Sequence, residues 1–222
     1  MAYLRLRRVL ELAVLDRPGL AWLIGSGGRA SRAAPAAQWD GYYAAGTYDS
    51  LMAADRRHHH HLLAGLIAER RPRGRILEIG CGQGAFFRSL RRLDYASYLG
   101  TDIAPLAIGQ ARAAFTDDIA TGRADFAVAD GAALAPGGPY DAIVIADCIE
   151  YLGPIPDLMA RCRDLLAPGG VIGMTQWMAA HPLALWREVR AHARILDESV
   201  VLAPWGGAWQ VCTCRPAGLA DG

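Results

Sequence analysis

The sequence predicts an α/β domain built on a doubly wound, mostly parallel sheet with helices on both faces. Short apolar runs recur near residues 76, 98, 125, 141 and 170, helix-length segments separate them, and a glycine-dense turn follows the first run directly. Ile76, Leu77 and Ile79 read as a short strand buried on both faces, and residues 86–93 can start the next helix. Gly80, Cys81, Gly82, Gln83 and Gly84 therefore fall at a strand-to-helix turn. Glycines there tolerate positive φ and carry no Cβ, so backbone can approach a ligand closely. The helix start adds unpaired amides and the positive end of a dipole.

The remaining elements follow in order. YLGTDIA places Asp102, with Ile103 after it, at the end of a second strand, and FAVADGAAL puts Asp130 and Gly131 after a third. YDAIVIADCIEYL opens a fourth strand at Asp141 and ends it at Ala146, Asp147 and Cys148. LLAPGGVIGMT is a helix end, a Pro-Gly-Gly turn and a fifth strand. Residues 199–202 and 208–213, joined through Pro-Trp-Gly-Gly, predict a closing hairpin, and residues 49–70 predict a helix ahead of the first strand. An open sheet of this kind keeps its ligand crevice beyond the carboxyl ends of its strands.

Composition narrows what such a domain does. With 222 residues, 53% of them hydrophobic, the chain suits one core, read here as a domain over residues 39–222 behind an N-terminal extension over residues 1–38. A net charge of +1 gives no electrostatic reason to expect a nucleic-acid partner. All 23 basic residues are arginine, which excludes a lysine base or Schiff base. Five cysteines without disulfide or zinc spacing fit a reducing cytoplasm, and Cys212 and Cys214 read as small buried apolar groups on one strand face. The opening MAYLRLRRVLELAVLDRPG is interrupted by Glu11 and stopped by Asp16, Arg17 and Pro18. It therefore reads as an amphipathic helix rather than a signal or span. Such a helix covers its own core or a subunit interface, with an anionic membrane surface or another partner as the alternative; a homo-oligomer stays open. Residues 25–37 read as a flexible linker.

A glycine-rich turn followed by Asp102 suits more than one nucleoside cofactor, because a carboxylate at that strand end accepts two hydrogen bonds from a ribose diol in each case. Spacing separates them. Gly80, Gly82 and Gly84 preceded by Glu78 give ExGxGxG, and with Asp130, the DCIEYL segment and LLAPGGVIGMT the chain resembles the class I methyltransferases that use S-adenosylmethionine. The likeness runs over roughly residues 39–215. It implies a seven-stranded sheet with an antiparallel last strand and a cofactor held by Glu78, Gly80, Cys81, Gly82, Gly84, Asp102, Ile103, Asp130, Gly131, Ala146 and Asp147. In that family Glu78's position helps organise the contact to the cofactor ammonium, and Asp130's reads the adenine amino group. Scattered residues of the lead-in and closing segments look similar to small bacterial enzymes of sugar biosynthesis, so the implied acceptor is a hydroxyl of a sugar or glycosylated intermediate. The alternatives are a quinone, lipid or secondary-metabolite phenol, or a cofactor-binding scaffold without turnover.

Methyl transfer needs alignment, exclusion of water and, for a hydroxyl acceptor, a base. Asp147, Glu150 and Tyr151 at the end of the fourth strand and His181 after the fifth are the candidates. Tyr151 stands where related enzymes carry an imidazole beside the methyl. Trp39, Tyr42, Tyr43 and Tyr48 can form a lid or pack on the sheet. No metal site is expected: in the run His58 to His61 only the first and last share a helix face, so the four read as packed or solvated. Arg56 and Arg57 read as surface residues within reach of an anionic group.

Overall fold

The computed structural model describes residues 34–133, 137–178, 180–203 and 207–219, without the side chains of residues 180–184. The expected N-terminal amphipathic helix and most of the linker lie outside the described residues. Among the described residues seven strands form one sheet in the order β3-β2-β1-β4-β5-β7-β6. They are β1 (Arg75–Ile79), β2 (Ser97–Asp102), β3 (Ala124–Val128), β4 (Tyr140–Ala146), β5 (Leu166–Trp177), β6 (Ala193–Leu202) and β7 (Ala208–Pro216). Neighbours among β1 to β5 pair in parallel, and β7 runs antiparallel between β5 and β6. The chain order reverses at β1, between β2 and β4, which places the crevice where an open sheet keeps it.

Helices cover both faces because the strands are apolar on both. Along β1 and β4 alternate residues enter opposite layers: Ile76, Ala142 and Val144 face one core, and Leu77, Ile79, Ile143 and Ile145 face the other. The first layer contains α2 (His58–Arg70), α3 (Phe87–Leu90) and α4 (Pro105–Ala114), following α1 (Ala36–Ala44) in sequence. Phe87, Phe115 and Phe126 fill it as stacked and edge-to-face rings, and Phe86 is buried in the same core. The second layer contains α6 (Ile155–Leu165) and α7 (Ala180–His192), which bury Leu158, Met159, Cys162, Trp186 and Val189. A short α5 (Thr116–Ala120) precedes β3. Cys212 and Cys214 are fully buried free thiols on β7.

Three local expectations change. The helix after the glycine turn is only Phe87–Leu90, so its dipole is too short to govern a ligand. The Pro-Gly-Gly segment is not a turn ahead of β5 but an irregularity within its ladder, where the register with β4 shifts between Tyr140 and Ala142. Ahead of α2, residues 49–56 form two 3-10 segments, Asp49–Met52 and Ala54–Arg56, rather than one helix reaching to residue 70. Among the described residues no helix is long and apolar enough to cross a membrane.

Candidate active site

The glycine turn is fixed by its neighbours before any ligand arrives. The amides of Gly80 and Cys81 both donate to the Thr101 carbonyl, at 2.8 and 2.9 Å, and Gly84 donates to the Cys81 carbonyl at 2.9 Å. Gly82 donates to Asp102 Oδ2 at 2.8 Å. With these amides engaged, the turn is a poor phosphate cradle, which favours the methyltransferase-like spacing over a pyrophosphate-binding loop. Glycine is required by shape. Gly80 has φ +75°, and a Cβ there would lie 2.6 Å from the Cys148 Sγ; at Gly82, φ +51°, it would lie 2.7 Å from the Tyr43 hydroxyl oxygen. Gly80→Ala should therefore cost about 2 kcal/mol of stability, from left-handed strain plus overpacking against Cys148. A denaturant midpoint no lower than wild type would refute that.

Asp102 closes the turn from the end of β2. Its Oδ1 accepts from the Ala104 amide at 2.9 Å while Oδ2 serves Gly82, and each oxygen keeps a lone pair free. Burial raises its pKa, opposed by those backbone hydrogen bonds. Glu78 sits deeper, 1% exposed, accepting a hydrogen bond from the Tyr98 hydroxyl. Burial pushes its pKa up to about 8, with Tyr98 opposing. Asp130 and Gly131 stand on the far side, where Asp130 Oδ1 accepts from the Ala132 amide at 2.8 Å.

These groups line a cleft of about 190 Å³ together with Ile103, Cys81, Ala146, Asp147, Cys148 and Tyr151. Trp39, Tyr43 and Tyr48 form its outer wall with Tyr151, whose ring lies 4.8 Å from Trp39 in an edge contact. Tyr42 packs on Trp39 but is exposed and does not line the cleft. The wall is apolar in character, and Leu51 and Met52 extend it.

Two of the catalytic candidates change role. Glu150 is not among the residues lining the cleft; its Oε2 accepts from Gln176 Nε2 at 3.4 Å. Asp147 lines the cleft but is not free to act as a base. His59 Nε2 stands 2.9 Å and His60 Nε2 3.4 Å from its Oδ2, and Thr175 Oγ1 donates to its Oδ1 at 3.0 Å. Burial would raise its pKa, but the histidines outweigh that and hold the carboxyl well below the usual range. An acid so firmly ionised accepts protons poorly. The side chain of His181, in the first turn of α7, lies outside the described residues.

The four histidines of the run read from sequence as packed or solvated with only His58 and His61 on one face, yet His59 and His60 converge on Asp147. His59 and His60 are both buried, because α2 lies across β5 and β7 and its first turn ends beside Asp147. Residues adjacent on a helix cannot share a face, but two rings can reach inward around one carboxylate. Arg57, read as a surface residue, is also buried and donates to Ser89 Oγ at 3.3 Å.

A parallel sheet with its crevice at the β1 reversal, an acid at the β2 end and a second acid after β3 define a nucleoside-binding domain of the doubly wound class. Residues 77–172 match the methyltransferase domain family, and this segment is a class I S-adenosylmethionine-dependent methyltransferase domain. Among relatives, the chain is 31% identical to the malonyl-[acyl-carrier protein] O-methyltransferase of Magnetococcus marinus over 120 residues, 54% of this chain and 43% of that one. It is 34% identical to the trans-aconitate 2-methyltransferase of Streptomyces avermitilis over 117 residues, 52% of this chain and 44% of that one. The matches thus span less than half the length of these relatives. The N-methyltransferase NodS of Bradyrhizobium japonicum WM9, solved with S-adenosylhomocysteine, superposes with a TM-score of 0.61 over 77% of this chain and 98% of that one. At 20% identity that likeness is one of fold.

Proposed function

We propose that the protein transfers a methyl group from S-adenosylmethionine to an oxygen of a small acceptor with a planar or largely apolar body. The observation that carries this reading is the wall of Trp39, Tyr43, Tyr48 and Tyr151 facing the Ala146-Asp147-Cys148 end of β4. Aromatic walls suit a phenol or quinone-like ring. The sugar hydroxyl expected from the sequence is the weaker choice, since a sugar wants several directional polar partners and this wall offers chiefly tyrosine hydroxyls. An O-methyltransferase among the relatives supports an oxygen acceptor.

The residues present fit the cofactor. Asp102 would hold the ribose diol through its two free lone pairs, Ile103, Asp130 and Gly131 the adenine, and Gly80, Gly82, Glu78 and the Ala146 backbone the amino-acid end. When bound, the cofactor supplies a methyl activated by a sulfonium. The chain's task is to align the acceptor oxygen and keep water out, and the Trp39, Tyr43 and Tyr48 wall is placed to do the latter. Tyr43, pushed far up in pKa by burial and by Asp102, stays neutral and can only donate or accept a hydrogen bond. Asp147 contributes a fixed negative charge rather than proton transfer.

Calorimetric titration with S-adenosylmethionine and S-adenosylhomocysteine, with NADH as control, should give binding for the first two alone. Turnover should then be found on catechols or hydroquinones before sugar nucleotides. NADH binding, or methylation confined to sugar acceptors, would contradict the cofactor and acceptor parts respectively.

A further inference from the structure

The methyl-transfer reading leaves the paired histidines of α2 unused. His59 is fully buried and His60 is 4% exposed, and one ring nitrogen of each and an Asp147 carboxylate oxygen all lie within 4.8 Å of one another. His59 Nε2 makes a hydrogen bond to that carboxylate at 2.9 Å, but His60 Nε2, at 3.4 Å, makes none to any group. A buried imidazole nitrogen aimed at a carboxylate without a hydrogen bond requires an explanation.

The surroundings hold the three groups in this arrangement. Asp147 adopts φ +58°, which costs a non-glycine residue about 1–2 kcal/mol. Its amide donates to the Thr175 carbonyl at 2.9 Å, and Thr175 Oγ1 occupies Oδ1, leaving Oδ2 to the imidazoles. The His59 ring is stacked on Trp209, centroids 4.2 Å apart and planes within 5°. A general-base role does not account for the cluster. A base would need one ring nitrogen on the carboxylate and the other open to the acceptor, yet Nδ1 of both histidines is buried and without a partner.

We infer that His59, His60 and Asp147 form a binding site for a divalent transition-metal ion of the zinc type, with an open coordination position on the cleft side. Two imidazoles and a carboxylate are a donor set that such ions prefer and that magnesium and calcium do not. Bonds of about 2.0–2.2 Å to a tetrahedral ion set its ligand atoms roughly 3.4 Å apart, and the two imidazole–carboxylate separations here are 2.9 and 3.4 Å. Asp147, whose side chain is 24% exposed, supplies the approach from the cleft. Coordination at Nε2 moves each ring proton to Nδ1, which has no acceptor among the described residues, so micromolar rather than picomolar affinity is expected. At the end of β4 the ion can polarise an acceptor oxygen and lower its pKa, the proton leaving to water. That role, unlike the site itself, rests on the methyl-transfer reading.

Cobalt(II) titration of the full chain after chelator treatment tests the site, read by the visible ligand-field bands of low-coordinate cobalt. One equivalent should bind. His60→Gln and Asp147→Asn should each weaken it by more than about a hundredfold, beyond what an outer-shell change produces, whereas His58→Ala and His61→Ala should bind as wild type. Melting curves in chelator establish that each variant is folded, and His59→Gln replaces either one that is not. Absence of the bands would overturn the site. So would binding that survives in His60→Gln and Asp147→Asn, or that falls with His58→Ala and His61→Ala, since it would then belong adventitiously to the run. Titrating S-adenosylhomocysteine into the same metal-free protein reports on the cofactor separately, so failure of one reading is distinguishable from failure of the other.

Discussion

Asp102→Ala should weaken S-adenosylhomocysteine binding about a hundredfold, close to 2.7 kcal/mol, and should also lower stability. The carboxylate has two roles. It takes the Gly82 and Ala104 amides at 2.8 and 2.9 Å, and its remaining lone pairs are placed for a ribose diol. Each hydrogen bond to a buried charged acceptor contributes about 1.5–3 kcal/mol, and truncation leaves both amides unsatisfied. Asp102→Asn should fall between wild type and alanine, because an amide offers one acceptor oxygen but turns its NH2 toward the other N–H donor. Burial raises the Asp102 pKa, so acidification that protonates it should mimic the asparagine variant and weaken binding. Calorimetry at neutral pH decides the matter: a folded alanine variant that binds with wild-type affinity would remove Asp102 from the cofactor site.

The cofactor half of the site is readable in sequence because it is local. Glycines within five residues of a strand end, an acid closing the next strand and an acid after the third occupy fixed places in a repeating unit, and Glu78, Gly80, Gly82, Asp102 and Asp130 line the cleft, whereas Gly84 does not. The acceptor half depends on packing between distant segments. Asp147 meets His59 across 88 residues, and the approach depends on a left-handed non-glycine residue and on the stacking of His59 against Trp209 of β7. None of these leaves a periodic trace, and residues adjacent on a helix diverge by about 100°, a spacing that carries no sign of the convergence of His59 and His60. Glu150 lies in the expected segment but outside the cleft lining, and its carboxylate accepts from Gln176. The irregularity at Pro168, Gly169 and Gly170 shows the same limit, since a turn and a looped-out strand segment share one composition.

Glu78 should make the protein less stable as pH rises through the neutral range. Its folded pKa of about 8 lies above the unfolded carboxylate value, roughly 4.3. Between those values the native state holds a proton that the unfolded chain has lost, so stability declines with rising pH and levels off above about 8, the full span being on the order of 4–5 kcal/mol. His60 acts in the opposite direction below its ordinary pKa, because burial lowers it and the unfolded chain takes up the proton first. The informative quantity is therefore the difference between wild type and Glu78→Gln, which keeps a neutral acceptor for the Tyr98 hydroxyl. That difference should grow in favour of the variant from pH 5 to pH 8; parallel stability curves would mean that Glu78 does not carry the proton. The same proton reports on function. If Glu78 helps hold the cofactor ammonium, the nearby positive charge favours its ionised form, and binding at pH 7 should release close to one proton. Calorimetry in buffers of different ionisation enthalpy measures that release directly. A released proton that disappears in Glu78→Gln places the carboxylate at the ammonium, whereas no release in wild type assigns Glu78 to the hydrogen bond with Tyr98 alone.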